Sequence, residues 1–265
     1  MNRKSTPFLP LLVMVAALLS LTRPASPWEN RKNVLEYYNM LPQKYFSNSF
    51  APDSRKYALR RSGGKWITRS SADYDFAAIV DTGNGYIRIE DHGTGGGGRT
   101  DEVVLYRDAR EGVYLCISQV FNPGVWDRNF VRVLSCRDGS FSDVTEKILP
   151  SITLADFLRE KHDRALTERF TDTISSHPMF PKNEASKITH FTYSFPRYGT
   201  TAKVSVNFTR KDNLLFLFYG GGREAARDTI RRFLDTQLKY SSVDLTWNRE
   251  SARFETGKKQ LWDGK

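Results

Sequence analysis

Histidine occurs only four times and cysteine only twice in 265 residues. His92, His162, His177 and His190 form no His-Glu-x-x-His or other zinc spacing, and no histidine neighbours either cysteine, so no metal site is expected. No Gly-x-Ser-x-Gly elbow announces a serine nucleophile. A hydrolase built on this chain would have to assemble its site only in three dimensions. Long apolar runs are lacking too, with one exception. "LLVMVAALL", Leu11–Leu19, follows Arg3 and Lys4 and is extended by Leu9 and Leu21. A spanning helix needs roughly 20 apolar residues. This shorter run fits the apolar region of a secretory signal peptide over residues 1–25, with small residues in "TRPASP" near the cleavage point. The expected protein is therefore exported: periplasmic, extracellular or envelope-associated.

Glycine is present in clusters that invite a phosphate-binding reading, and the context argues against it. Gly95–Gly98 are followed by Arg99 and Thr100, not by the Lys-Ser/Thr of a Walker loop, and then by the strand-like "EVVLYRD". No helix N-terminus aims its amides at an anion there, so the run reads as a slack connection between two strands. Glu90, Asp91, His92 and Asp101 surround it with hard-cation donors, but in no calcium-loop spacing. Gly220, Gly222 and Ala225 fit Gly-x-Gly-x-x-Ala, with Asp244 at the distance of a ribose-binding acid. Only 21 residues follow Asp244, and the preceding strands read as antiparallel, so no dinucleotide cofactor is expected. Arg223 at that turn remains a candidate anion contact.

Charge of negative sign is the scarcer. The formal net charge is +10, and loss of Arg3, Lys4 and Arg23 with the leader leaves +7. Such a balance favours solubility and anionic partners, here a glycan, a polyanion or an envelope protein rather than nucleic acid. The stretch "APDSRKYALRRSGGKWITRSS" concentrates cations, including Arg60, Arg61 and Lys65, against one acid, Asp53. It reads as a solvated linker with a secondary polyanion-binding reading.

The two cysteines of an exported chain suggest a bridge. "GVYLCISQV" and "NFVRVLSC" read as strands about the Asn-Pro-Gly turn, and folding the hairpin at Val125–Trp126 sets Cys116 opposite Cys136 or Ser135. A Cys116–Cys136 disulfide is the expectation. The tip of the same hairpin carries Phe121, Trp126 and Arg128, residue types that anchor interfaces or stack on sugars, and it is the candidate binding site.

With 39% hydrophobic and 13% aromatic residues, the chain holds enough apolar material for a core. A helix is expected over roughly residues 28–40, stopped by Pro42. Six hairpin-linked strands follow from Asp75 to Pro150, the last of them "SFSDVTEKIL". A second helix is expected over "SITLADFLREKHDRALTERF", capped by Thr153, with Asp156, Glu160 and Asp163 forming a solvated acidic face. After a proline-bearing loop come three strands, a helix over "REAARDTIRRFLDTQLKY" and a further strand. The fold class is α+β and β-dominant, with antiparallel meander or sandwich-like sheets and about three helices. Its expected parts are residues 26–175 and a smaller 185–255 subdomain, possible as one packed unit. The functional expectation is a non-enzymatic binding or structural module without cofactor.

Overall fold

The computed structural model describes residues 31–46, 55–69, 74–92, 98–122, 128–176, 191–206 and 224–263. The expected leader, Trp126, Arg223, Gly220, Gly222, His177 and His190 lie outside the described residues. Among those residues, no helix is long and apolar enough to cross a membrane.

The body is β-dominant and antiparallel. Eight strands run in strict sequence order as one meander: β1 (Arg60–Ser62), β2 (Lys65–Arg69), β3 (Asp75–Asp81), β4 (Tyr86–Asp91), β5 (Gly98–Arg107), β6 (Val113–Asn122), β7 (Arg128–Arg137) and β8 (Ser140–Asp143). Four more form a second sheet in the order β12-β11-β10-β9, from β9 (Phe191–Ser194), β10 (Thr201–Val206), β11 (Tyr240–Asn248) and β12 (Arg253–Leu261). Four α-helices are described: α1 (Val34–Met40), α2 (Thr145–Ile148), α3 (Arg164–Ser175) and α4 (Glu224–Thr236).

The six strands expected from Asp75 onward are present as β3–β8. The basic stretch is not a linker but the β1–β2 hairpin, which extends the meander at its edge. Gly63 and Gly64 both adopt positive φ at its two-residue turn, where a side chain would be strained.

Alternation along the meander separates two cores. Ile87, Ile89, Val103, Leu115, Ile117 and Leu134 face α1, whose Val34 and Tyr38 are fully buried against them. The helix begins at 34, later than expected, because Asn33 closes a capping box. Its Oδ1 accepts from the Leu35 and Glu36 amides, and Glu36 Oε2 accepts from the Asn33 amide. Such a cap stabilises by about 1 kcal/mol. The opposite face presents Tyr86, Val104, Cys116 and Val133 to a larger cluster shared with β9–β12, α3 and α4, in which the Phe170 and Phe233 rings stack at 3.8 Å.

Buried polar groups fix how β9 sits on the meander. Asn129 Oδ1 accepts from the Tyr193 amide at 3.0 Å, and Ser118 Oγ donates to the Tyr193 carbonyl at 2.8 Å. Glu102 accepts from Tyr86 Oη and Arg88 Nη1 through one oxygen and from the Phe195 amide through the other. Satisfying such groups only in one arrangement selects that arrangement, because each unpaired one would cost about 1–3 kcal/mol.

Two sequence expectations fail here, one for a local reason and one for a distant one. "SFSDVTEKIL" is not a continuous strand: the Asp143 side chain accepts from the Thr145 amide and starts α2. The second helix is also broken. Thr153 and Asp156 do form a capping box, but it opens only a single 3₁₀ turn, Leu154–Phe157. The chain then extends, because Arg159 and Lys239 exchange backbone bonds with Gln237 and Phe157, and Gln237 Oε1 accepts from the Asp163 amide. Asp163 caps α3 instead, accepting from the Leu166 amide. Asp156, Glu160 and Asp163 therefore share no helix face.

Candidate functional site

The meander register decides the cysteines. Cys116 pairs with Val133 and Val113 pairs with Cys136, so the partner of Cys116 lies two to three residues before the one that a turn at Val125–Trp126 implies. Cys136 lies three positions past the partner of Cys116, and an odd offset puts the two side chains on opposite faces of the sheet. They form no disulfide. Burial pushes the Cys116 thiol well above its ordinary range. Cys136 lines a cavity described below.

Phe121 belongs to a packed wedge. It pairs with Arg99 on one side and with the backbone of Arg128 on the other. The Arg99 guanidinium lies 4.8 Å from the Tyr57 ring and 5.5 Å from the Phe121 ring. Residues 99 and 101 share a strand face, and Arg99 donates from Nε at 2.7 Å and Nη2 at 2.5 Å to the two Asp101 oxygens. Asp101 is fully buried, and the Arg99 side chain is 10% exposed. Burial raises the Asp101 carboxyl above the usual range while Arg99 opposes that rise. Burial also works against the Arg99 charge, and Asp101 restores it. Around the pair, Tyr38 Oη donates to the Tyr57 carbonyl, and Tyr57 and Tyr74 hydroxyls both donate to Asp91. Burial raises both Tyr38 and Tyr57 far above the ordinary phenol range. These polar groups answer one another, so the wedge reads as scaffold.

Asp91 and Asp101 are thus committed, and Arg88 holds Glu90. Among the described residues no cluster of His, Cys, Asp and Glu fits a metal ion. β4 and β5 pair from Asp91 opposite Arg99, and residues 93–97 of the glycine stretch between them lie outside the described residues. Asp244 lies on β11 opposite Lys203, within an antiparallel pair. Of the other predicted anion contacts, Arg60 pairs with Asp75 at 2.6 Å, Arg61 stacks 5.1 Å over the Trp66 ring, and Lys65 is exposed opposite Ser62.

A site that no local motif announces lies at the opposite ends of β5, β6 and β7. A cavity of about 550 Å³ opens between the β5–β6 turn, the end of β7, α2 and the β11–β12 turn. The first three contribute Arg110, Arg137 and Lys147, and Arg253 follows the fourth as the first residue of β12. All four side chains are exposed, and none has an ion-pair or hydrogen-bond partner among the described residues. Asp108 is the single carboxylate in the lining, and it is already engaged. One oxygen accepts from the Arg110 and Gly112 amides at 2.8 and 2.7 Å, and the other from Tyr114 Oη at 3.2 Å. A Cβ on Gly112 would run into that carboxylate and displace it from its present position. The floor is apolar, with Val113 and Ile148 buried and Tyr114 and Ala252 partly so.

The two turns are tied together. The Ala109 amide donates to the Arg249 carbonyl at 2.9 Å, and Trp247 Nε1 donates to the Arg107 carbonyl at 2.9 Å. Among the described residues, the non-glycine residues at positive φ are Glu111 (66°), Asp138 (50°) and Ala252 (51°), each in a turn next to a lining residue. Left-handed backbone costs roughly 1 kcal/mol or more for an alanine, and such strain collects where surrounding structure enforces a site. The sequence offered only "AREG" and the Asp138-Gly139 turn as signals, and these indicate hairpins rather than convergence.

No family model matches the chain, and no curated protein matches it. Among solved structures, a domain of an uncharacterized protein from Porphyromonas gingivalis W83 aligns over 86% of this chain and 99% of its own, at 11% identity and a TM-score of 0.47. A likeness at that level carries nothing toward function.

Proposed function

We propose that this chain is an exported binding module that holds a small anionic ligand in the cavity between the β5–β6 and β11–β12 turns. The observation that carries the reading is the convergence of Arg110, Arg137, Lys147 and Arg253, from four separate elements, on a cavity whose one carboxylate is occupied by its own turn. Like charges brought together repel, and an anion offsets that repulsion. Ligand pockets typically enclose roughly 300–1,000 Å³, so a cavity of about 550 Å³ suits a small molecule rather than a polymer. The apolar run Leu11–Leu19 behind Arg3 and Lys4 supports the exported address.

The test is thermal unfolding of the mature chain in millimolar phosphate, sulfate or benzoate against chloride at equal ionic strength. Stabilisation that disappears in Arg137→Ala/Arg253→Ala supports the site. Equal stabilisation of both proteins rejects it. A polyanion reading through β1–β2 rests on Arg61 and Lys65, and it predicts salt-sensitive heparin retention that Arg61→Ala/Lys65→Ala abolishes.

A further inference from the structure

We infer that the cavity selects a phosphate monoester carried on a compact ring-bearing body, an inference that rests on the anion-binding reading of the same cavity. The charge count comes first. Four cations face one carboxylate that is held by two amides and a tyrosine hydroxyl. A monocarboxylate would leave most of that positive charge unanswered. A phosphate monoester carries close to two negative charges at neutral pH and three terminal oxygens. Three of the four cations are arginines, whose planar forks match phosphate oxygens two at a time.

The shape comes second. Inorganic phosphate is only a few times larger than a water, whose share of liquid volume is roughly 30 Å³. It would leave most of a cavity of about 550 Å³ unfilled. The remaining wall is made by Val113, Tyr114, Val144 and Ile148. Tyr114 is backed by Trp247, with ring centroids 5.2 Å apart, and gives a firm aromatic surface for a ring to lie on. Ser135 and Ser251 add hydroxyls that suit a hydroxylated body. The basic side chains are exposed and the apolar ones recessed, so the ester group belongs at the mouth and the ring inside.

Titration calorimetry on the mature chain, using phenyl phosphate, inorganic phosphate, phenylacetate and phenyl glucoside, tests this at pH 8 and pH 5. Phenyl phosphate is expected to bind at least tenfold tighter than each of the other three. Its affinity falls about tenfold from pH 8 to pH 5, because its second proton returns near pH 6. The titratable and charged groups facing the ligand are Asp108, Tyr114, Cys136 and the four cations. Phenylacetate, ionised at both pH values, reports any change that belongs to those groups. If phenylacetate matches phenyl phosphate, the dianion selection is wrong and the anion-binding cavity stands. If inorganic phosphate matches it, the organic body is wrong. If no anion binds, or if binding persists unchanged in both Arg137→Ala/Arg253→Ala and the independent Lys147→Gln, inference and cavity reading fall together.

Discussion

At the Arg99 wedge, one guanidinium meets one carboxylate through two hydrogen bonds, between two aromatic rings, with the carboxylate fully buried. At the cavity, four cations meet one carboxylate, and that one is turned into its own loop. The wedge pair lies on one meander strand, while the cavity cations come from a turn and a strand end of the meander, from α2 and from the second sheet. The two regions differ in whether the chain supplies the counter-charge itself. Where it does, the charges hold the fold together, and removing one partner strands the other. Where it does not, like charges are left to repel at the surface, which is the ground of the proposed anion site.

The largest effect expected from this contrast is at Asp101. Asp101→Ala leaves Arg99 desolvated without its partner, and breaking a buried pair in this way costs about 3–5 kcal/mol. Urea unfolding should show that loss. Replacing both partners, as Arg99→Met/Asp101→Leu, should cost far less, because no stranded charge remains. A double variant as unstable as the single would show that the wedge depends on the rings and not on the pair.

A smaller effect is expected at the cavity rim. Ala252 holds a φ of 51° in the β11–β12 turn, where Asn248 Oδ1 accepts from the Glu250 and Ser251 amides and fixes the bend. Ala252→Gly relieves left-handed strain and gives some of that gain back to the unfolded chain, for a net stabilisation of up to about 1 kcal/mol. A destabilised variant in urea unfolding would contradict the claim that this turn is strained.

A third region lies between the extremes. Asp81 accepts from the Asn84 side chain at 2.9 Å and from Arg197 Nε at 2.7 Å, joining the β3–β4 turn to the loop before β10. The Asn84 side chain foremost, and then Arg197, hold its carboxyl down to about 2. The folded value lies below the ordinary one of about 3.9, so the contribution is present above that pH and is lost as pH falls toward 2. Urea midpoints between pH 5 and pH 2.5 should fall more steeply for the natural chain than for Asp81→Asn. Parallel curves would remove Asp81 from the acid response.

Much of the meander, but neither the wedge nor the cavity, was legible in the sequence, for a physical reason. Period-two alternation and Asn-Gly or Asp-Gly turns are local, so β3–β8 could be read strand by strand. Arg99 fell in the slack connection before the expected strand, and only the earlier start of β5 at Gly98 puts it on one face with Asp101. The helix expected from Thr153 failed because its competitor was distant: Gln237 and Lys239, more than seventy residues on, bond the segment that would have continued it. The disulfide failed because face and register depend on where a hairpin closes, and a shift of one residue reverses a side chain. The cavity cations come from residues 110, 137, 147 and 253, positions that share no period and meet only through tertiary contact.

The smallest effect expected is also the most discriminating. Arg137→Ala/Arg253→Ala removes two cations that have no ion-pair or hydrogen-bond partner among the described residues, so no buried group is stranded. Surface changes of this kind stay within about 0.5 kcal/mol. The expected sign is a slight gain, because two of four mutually repelling charges are gone. Salt offers an independent reading of the same repulsion: screening at 0.5 M should stabilise the natural chain slightly and the variant less. If the variant instead loses as much as Asp101→Ala does, the cavity arginines are supports like Arg99, and the contrast between an answered and an unanswered charge no longer separates scaffold from site.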